Sequence, residues 1–552
     1  MEYIREHLYL AALLHDIGKF YQRADTGNAS DSKKLSSVTK SNEANVLPQY
    51  NGRYSHKHCL WTAQFIEDNN AVFKKLIGAD SSWLSDKDNL SNLAACHHLS
   101  KEQLSPLGQL IKEADCLSSG MDRDSAEALR DEQDTDGWDA FKKKSMTSIL
   151  ETIGMGEDAL STKDGWMHLP VAAMSLSKST FPSSNVDTPD YVSLWEDFCT
   201  DFKFIQATDY TAFSETFLQL LLKYTSCIPA STINFPDVSL YDHAKTTAAL
   251  AVCLYDFKES KEEAEQPFLL IGADFSGIQG YIYQIVSEHA SQNLKGRSFF
   301  LRILSDAVVR LLLDKLHLFR ANVIYDSGGS FYLLAPNTTW VKTQLQETIA
   351  LIEKNFFDEF GASLFVAIDS IPLGKEDLLH QDNEHNLGTR WGDLFKKRDK
   401  KKAHKFASLI AKGYDHFFMP ILQGGDAKRD RITGEEFLLN EKEYKNKDLS
   451  PLKKNTCLQI ELGRKLKASS LMLVSKKELP YWAGITYLNP ANLGYYYYFV
   501  TEEDLKGLTD KMKASVDGKS VILFNNMNFI QALSGKNNSY EFTFYGGNEN
   551  NE

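Results

Sequence analysis

Apolar residues recur at helical spacing through the first part of the chain. Leu10, Leu13, Leu14 and Ile17 stand at i, i+3, i+4 and i+7, one apolar face of an amphipathic helix. Residues 26–54 show no period and are rich in Ser, Asn, Lys and Gly, which predicts a long surface loop. A second helix is expected from about His56 to Asn69, a third over Asn92–Leu99, and a fourth from about Pro106 carrying Ile111, Ala114 and Asp115. Residues 126–262 continue the helical texture, broken by Phe181-Pro182-Ser183-Ser184-Asn185.

Near residue 267 the period changes. Phe268–Asp274 is an apolar run of strand length, followed by helical patterns at 277–288 and 298–316. Strands are expected at Asn322–Asp326 and Phe331–Ala335, joined at Gly328-Gly329, then a helix at 338–356 and a strand at 363–368. This order, β-α-β-β-α-β with an extra helix after the first, predicts a ferredoxin-like sheet. Residues 386–470 are helical and charged, and strand patterns return from 471 in Leu471-Met472-Leu473-Val474, Tyr495–Val500 and Tyr540–Tyr545. The expected fold is multidomain α+β: an all-α domain over 1–125, a helical linker over 126–262, a ferredoxin-like domain over 263–385, a helical connector over 386–470 and a further region over 471–552.

Composition narrows the setting. A hydrophobic content of 43% is that of a chain with buried cores, and 552 residues suffice for three or four domains. The net charge of −13 excludes a uniformly basic nucleic-acid coat, so contact with DNA or RNA has to come from local basic patches or from metal ions. Met1–Glu6 is charged and leads directly into a helix, so no signal peptide is expected; no apolar run approaches membrane-spanning length. The seven cysteines are scattered without a Cys-x-x-Cys pair, the pattern of reduced thiols in a cytoplasmic protein without membrane attachment.

Six of the fourteen histidines fall within the first 115 residues, and they come with carboxylates in helical settings: His15-Asp16, then His56 and His58, then His97-His98, then Asp115. Imidazole nitrogen and carboxylate oxygen suit Mn, Fe, Co, Ni or Zn better than Ca. A pair of ions so held can polarise a phosphodiester and generate hydroxide near neutral pH. One His-Asp dipeptide means little, whereas the ordered set is specific. Within it His56 is read as a solvated or supporting group and His7 as a surface residue. Adjacent helical residues such as His97 and His98 point about 100° apart, so both ligate only if two metals or a helix end bring them in. Lys19, one turn past His15-Asp16, either neutralises phosphate charge or is an ordinary solvated lysine.

The string Leu13-Leu14-His15-Asp16-Ile17-Gly18-Lys19-Phe20 resembles HD-superfamily phosphohydrolases. Adding Ala95-Cys96-His97-His98 and Ala114-Asp115-Cys116-Leu117-Ser118-Ser119-Gly120-Met121-Asp122-Arg123 narrows the likeness to the large signature subunit of type III CRISPR–Cas effector complexes, in the subtype III-A (Csm) version, where a permuted HD domain comes first. Ser239–Ala249 resembles the segment leading into that family's first palm, and Asp274-Phe275-Ser276-Gly277-Ile278-Gln279-Gly280-Tyr281 resembles the palm's opening. Lys295-Gly296-Arg297-Ser298 and Ser327-Gly328-Gly329-Ser330-Phe331 follow in the family's order.

The resemblance implies a target-RNA-activated subunit working with guide-RNA-bound partners. Its HD domain would cut single-stranded DNA with a divalent metal (Mn, Ni, Co or Mg), as two ions held by His15, Asp16, His58, His97, His98 and Asp115. His15 and Asp16 fall on the catalytic motif. The palms of such proteins convert ATP to cyclic oligoadenylate, which places Asp274, Ser276, Gly328 and Gly329 on the nucleotide side of the first palm. Equally, those glycines can serve only a tight hairpin, and Asp274 or Ser276 can cap the next helix.

Two departures from the family pattern matter. The cyclase hairpin Gly-Gly-Asp-Asp does not occur; Gly424-Gly425-Asp426-Ala427 is the nearest string, and Gly546-Gly547-Asn548 lies where a second palm would be starting. The expectation is that 471–552 is an incomplete start of that palm and that the chain alone does not make cyclic oligoadenylate. The connector has only Cys457 where relatives carry two Cys pairs, so no structural zinc is expected there. The run Lys396-Lys397-Arg398-Asp399-Lys400-Lys401-Lys402 is read as RNA-contacting or as a solvated helix face. Two other functions stay open: a stand-alone HD enzyme on small nucleotides, and a non-catalytic scaffold.

Overall fold

The computed structural model describes residues 3–27, 30–78, 86–120, 140–151, 165–232, 236–286, 290–379, 385–419, 428–438, 440–529, 533 and 537–543. Met121-Asp122-Arg123, Gly424–Ala427 and Gly546–Asn548, singled out above, lie outside the described residues. The chain is multidomain α+β and divides into two compact units: Met1–Phe268 with Leu373–Thr389 and Asn525–Phe542, and Leu269–Pro372 with Arg390–Phe524 and Thr543–Glu552.

The first unit is helical. Helix α1 (Ile4–Leu14) is buried on every side from His7 to Leu14, as an element apolar all round its circumference must be. The chain then turns at His15-Asp16 and restarts as α2 (Ile17–Ala24), so the expected continuous helix through the His-Asp pair is two helices, with the pair at the joint. Gly18 is what lets α2 seat against α3 (His58–Asp68): a Cβ there would lie 2.1 Å from the His58 carbonyl oxygen and 2.5 Å from the Thr62 nitrogen.

The third expected helix is shorter than its pattern suggests. Helix α4 runs Leu90–Ala95, so His97 and His98 fall in the turn beyond its end. Helix α5 (Pro106–Gly120) starts where expected. The stretch 26–54 is not a plain loop: it forms two short helical turns, Ser37–Ser41 and Glu43–Val46, and a small hairpin at 49–54, with Leu35, Val46 and Leu47 buried. Three apolar side chains without helical or strand spacing mask that packing in the sequence.

The expected linker joins this same core. Helices α6 (Tyr191–Phe202) and α7 (Tyr210–Thr225) interlock with the first helices through Phe20, Phe65, Phe73, Trp195, Phe198, Phe202 and Phe213, whose rings meet mostly edge-to-face. Helix α8 (Leu240–Ser260) packs on α1 and α5. The boundary at 125 falls in undescribed residues, and α8, far beyond it, belongs to the first unit.

In the second unit the ferredoxin-like order is present. Strand β1 (Phe268–Ser276), helices α9 (Ile278–Tyr283) and α10 (Ala290–Lys315), strands β2 (Val323–Ser327) and β3 (Ser330–Pro336), helix α11 (Thr339–Phe360) and strand β4 (Phe365–Leu373) build a sheet ordered β2-β3-β1-β4. Alternation along β1 sends Leu269, Ile271, Ala273 and Phe275 into the main core. The opposite face is covered by α12 (Leu387–Ala403), where Leu394 and Tyr332 leave no room for a side chain at Gly272.

The lysine-rich run lies on α12 and is divided: Lys396, Lys397, Asp399 and Lys400 are exposed, as a solvated face would be, while the other members, with Lys397, dock the helix to the sheet. Lys402 pairs with Asp274, Lys401 bonds the Ile368 carbonyl at 2.6 Å and Lys397 the Ser370 carbonyl at 3.1 Å. Arg398 is fully buried, donates to the Ala273 carbonyl at 3.1 Å and lies over the Phe395 and Tyr332 rings.

Helix α13 (Lys454–Lys465) crosses α10 where Gly296 meets Gly463; a Cβ on Gly296 would stand 1.9 Å from the Gln459 carbonyl oxygen. The connector is mixed, not wholly helical, since strands pair at Tyr444–Asn446 and Leu449–Leu452. Beyond it, β5 (Ser469–Ser475), β6 (Tyr487–Leu488), β7 (Tyr496–Thr501) and β8 (Ser520–Phe524) form antiparallel ladders in the order β6-β7-β5-β8. Among the described residues no helix is long and apolar enough to cross a membrane.

Candidate metal centre

The joint between two helices, the start of a third, the turn after a fourth and the middle of a fifth converge in the first unit. His15 and Asp16 come from the α1–α2 joint, His58 from the start of α3, His97 and His98 from the turn after α4, and Asp115 from the inner face of α5. All six expected residues are brought together. His58 Nε2 lies 3.0 Å, and His97 Nε2 3.9 Å, from Asp16 Oδ1; His15 Nε2 lies 3.4 Å from Asp16 Oδ2 and 3.9 Å from Asp115 Oδ1. His98 packs against His97 and His58.

A seventh residue belongs with them. His243, on α8, places Nε2 3.3 Å from Asp16 Oδ2, 3.2 Å from Asp115 Oδ1 and 3.3 Å from His15 Nε2. The sequence pattern marks Ser239–Ala249 only as a lead into the palm. A histidine amid Ala and Thr on a helix largely apolar from Leu240 to Leu254 is the signal that could have found it.

The rings are aimed by their other nitrogens. His15 Nδ1 is 2.7 Å from the Ala12 carbonyl, His97 Nδ1 is 2.8 Å from the Ala94 carbonyl, and His243 Nδ1 is 3.1 Å from Ser118 Oγ. Each contact turns Nε2 toward Asp16, which is how ligating imidazoles are held. Thr62 locks the joint itself, donating to the His15 carbonyl at 2.9 Å and accepting from Gly18 N at 3.1 Å.

Electrostatics follow from burial. Burial lowers the basicity of His58 and His98 and brings His97 down to about 3, so these rings are neutral and carry free lone pairs. Burial opposes charge on the two carboxylates as well. Lys19, 2.6 Å from Asp16, and His15 nevertheless hold Asp16 well below the ordinary range, and His243 and His15 do the same for Asp115. Against its own burial, hydrogen bonds and charge from Asp115 and Asp16 hold His243 up to about 9. Without a metal ion His243 thus holds a proton between two buried carboxylates, a positive charge that a divalent cation bound there would replace.

The residues fit a divalent cation. Asp16 Oδ1, His97 Nε2 and His98 Nε2 are buried with no hydrogen-bond partner, the approach of His58 to Asp16 being misaligned for a hydrogen bond. Orphaned buried acceptors of this kind cost stability unless something satisfies them. Candidate donor sets are His15, Asp115 and His243; His15, Asp16 and His97; and His58, Cys59, His97 and His98.

Of the two other histidines in this stretch, His7 departs from expectation and His56 agrees with it. His7 is buried, between the Tyr210 hydroxyl and the Asp88 carbonyl, not on the surface. His56 is exposed and stacks on His98 with ring centroids 3.9 Å apart. Lys19 is neither a plain solvated lysine nor remote: it is Asp16's ion-pair partner.

In the second unit Asp274 is paired with Lys402, and Ser276 ends β1 half-buried. Gly277 caps α9 with φ +96° and no side-chain cap bond forms, so neither Asp274 nor Ser276 caps that helix. Gly328 takes φ +47°, as the hairpin requires, and the Gly329 carbonyl accepts from Phe275 N at 2.9 Å, which docks the hairpin beside Ser276.

Fold and site together define a class: an HD-type helical domain with a buried His/Asp centre, in one chain with a ferredoxin-like domain. The HD domain family matches residues 3–120 and the Csm1 subunit domain B family matches 267–418. Across most of its length the chain is a homologue of the Cas10/Csm1 proteins of subtype III-A CRISPR systems. It is 27% identical to the "CRISPR system single-strand-specific deoxyribonuclease Cas10/Csm1 (subtype III-A)" of Methanocaldococcus jannaschii, over 79% of this chain and 54% of the relative. With the Streptococcus thermophilus protein of that description it is 27% identical over 77% and 52%, and with the Enterococcus italicus one 36% identical over 34% and 28%. The chain therefore spans about half the length of the curated relatives that it matches most broadly.

Among solved structures, a Csm1-Csm4 cassette in complex with one ATP superposes with a TM-score of 0.62 at 19% identity, over 98% of this chain and 60% of that one. The Csm1-Csm4 subcomplex of the type III-A CRISPR-Csm interference complex gives 0.56 at 21% identity, over 98% and 60%. These likenesses establish the shared fold.

Proposed function

We propose that this chain is a nuclease-bearing large subunit of a type III-A effector complex, cutting single-stranded DNA at its HD centre. The observation that carries the reading is the convergence of imidazoles from four helices on the buried Asp16 carboxylate, with His15 and His97 aimed by their outer nitrogens and with Asp16 Oδ1, His97 Nε2 and His98 Nε2 left without a hydrogen-bond partner. In this reading His15, Asp16, His58, His97, His98, Asp115 and His243 hold two divalent ions, drawn from Mn, Ni, Co or Mg. When bound, such ions supply a hydroxide near neutral pH and polarise the phosphodiester. The protein's own residues orient and charge-balance the centre. Ser118 and the Ala12 and Ala94 carbonyls fix the rings, Thr62 fixes the joint, and Lys19, a quarter exposed, offers a strand phosphate a cationic contact beside Asp16.

The relatives' description as single-strand-specific deoxyribonucleases supports the substrate, and the solved Csm1-Csm4 subcomplex of an interference complex supports work among effector subunits. In this reading that complex is cytoplasmic and carries guide and target RNA. By the same reading Ser276 and the Gly328-Gly329 hairpin, with Asp274, form the palm surface for ATP; that a Csm1-Csm4 cassette of the same fold is solved with one ATP supports nucleotide binding. Conversion to cyclic oligoadenylate then needs a palm carrying Gly-Gly-Asp-Asp, supplied in trans. The domain limits that fit this reading are an HD unit extended to include α8, and a palm beginning at β1.

With Mn²⁺ the purified chain should nick circular single-stranded DNA and spare duplex. His15→Ala with Asp16→Ala should abolish nicking and leave the helical circular dichroism unchanged. Phosphate release from free nucleotides without DNA cutting would instead identify a small-nucleotide enzyme. Inactivity with every metal, with normal binding to guide-RNA subunits, would identify a scaffold.

A further inference from the structure

One donor in the HD centre is of a different chemical kind from the rest. Cys59 follows His58 at the start of α3, is fully buried, and has its Sγ 3.7 Å from His58 Nε2. Across from it, the turn after α4 presents His97 and His98 with both Nε2 atoms buried and unpartnered, and His97 is completely enclosed. The four donor atoms of His58, Cys59, His97 and His98 all lie within 4.8 Å of one another. Zinc held tetrahedrally by three nitrogens and one sulfur has donors about 2.0–2.3 Å away, hence about 3.3–3.6 Å apart, so a contraction of about an ångström closes the set.

We infer that His58, Cys59, His97 and His98 form a thiophilic ion position, selective for Zn²⁺, Co²⁺ or Cd²⁺ over Mn²⁺ and Mg²⁺. The inference rests on the HD-centre reading and deepens it by making the two ion positions unequal. His15, Asp115 and His243 offer nitrogen and carboxylate oxygen and no sulfur. The second set offers three imidazoles and a thiol, and thiolate ligands favour zinc-like ions over manganese or magnesium. Asp16 stands between them, 3.0 Å from His58 and 3.3 Å from His243. A thiol bound to a metal gives up its proton, so loading this position releases one proton to solvent from Cys59.

Cobalt(II) distinguishes the possibilities. The metal-free full chain is titrated with Co²⁺ while the visible d–d bands and the near-ultraviolet sulfur-to-cobalt charge-transfer band are followed. Both are expected in the wild type and in Cys96→Ser with Cys116→Ser. In Cys59→Ser the charge-transfer band should vanish while d–d absorption stays, and Zn²⁺ affinity should fall at least about tenfold. Visible bands without a charge-transfer band in the wild type would overturn the thiolate position and leave the HD reading intact. A charge-transfer band surviving in Cys59→Ser would also overturn it, placing the sulfur elsewhere. Absence of all cobalt bands would take down the metal centre itself. Should Cys59→Ser fail to fold, cadmium NMR of the wild-type chain separates a sulfur ligand from nitrogen and oxygen ones and decides the matter.

Discussion

His243→Ala tests whether helix α8 belongs to the HD centre, and the size of its effect follows from what the imidazole holds in place. Asp16 keeps Lys19 at 2.6 Å and His15 at 3.4 Å when the ring is removed. Asp115 does not fare as well: its partner at 3.2 Å disappears and the next imidazole is His15 at 3.9 Å. The metal-free variant therefore strands one buried carboxylate, and breaking such a pair costs about 3–5 kcal/mol. At about 2–4 °C per kcal/mol for a unit of this size, the melting temperature in EDTA should fall by about 6–20 °C. Mn²⁺ should restore part of that stability, because a cation near Asp16 and Asp115 replaces the missing charge. Mn²⁺ affinity should still drop by more than the 10–100-fold typical of losing an outer-shell partner. Thermal melts with and without Mn²⁺, calorimetric titration and single-stranded DNA nicking measure the three effects. A variant that melts like the wild type in EDTA and binds Mn²⁺ equally well would refute the assignment of His243 to the centre.

Three further predictions concern the second unit. Gly296→Ala should destabilise it by about 1–3 kcal/mol or more in urea melts, because the added methyl meets the Gln459 carbonyl across the α10–α13 crossing; a neutral result would mean the helices are not so close. Burial raises Glu359 from 4.5 to about 7, so stability is full below about pH 4.5 and is lost as pH rises through 7. Glu359→Gln should flatten that profile, matching the wild type at pH 4.5 and gaining about 1–3 kcal/mol at pH 8, and equal effects at the two pH values would contradict it. Arg398→Ala should cost about 3–5 kcal/mol through the cavity and the orphaned Ala273 carbonyl, and Arg398→Met much less, a ranking that denaturation of the two variants checks.

Much of the fold is readable in the sequence because its signal is periodic. The strand-to-helix alternation from Phe268 to Leu373 reports which residues face a core, and the observed sheet order is the one that pattern implies. Ends of elements carry no such signal. The α1–α2 break at His15-Asp16 has no Pro or Gly before it, and α4 stops at Ala95 without a glycine cap, so both helices read as longer than they are. The lysine-rich stretch misleads in part, for a related reason. Lys401 and Lys402 reach backbone carbonyls and Asp274 on strands distant in sequence, and charge along one helix does not reveal what lies opposite it.

The site divides along the same line. His15, Asp16, His58, His97, His98 and Asp115 are legible because residue types that bind metal crowd into one stretch of chain, and crowding is visible without coordinates. His243 is not, because its membership depends on α8 returning across α1 and α5, a tertiary event of which the sequence shows only a lone histidine amid Ala and Thr. Its contribution is nonetheless as direct as that of the others, since it lies closer to Asp115 than His15 does. The helix ends that periodicity misses are the places where the centre is built: a joint presents His15 and Asp16 in succession, and a terminus frees His97 and His98 from the 100° divergence that a continuing helix would impose. A centre drawing several ligands from adjacent residues needs such breaks. The failure to read the helix limits and the ability of those residues to converge therefore have one physical cause.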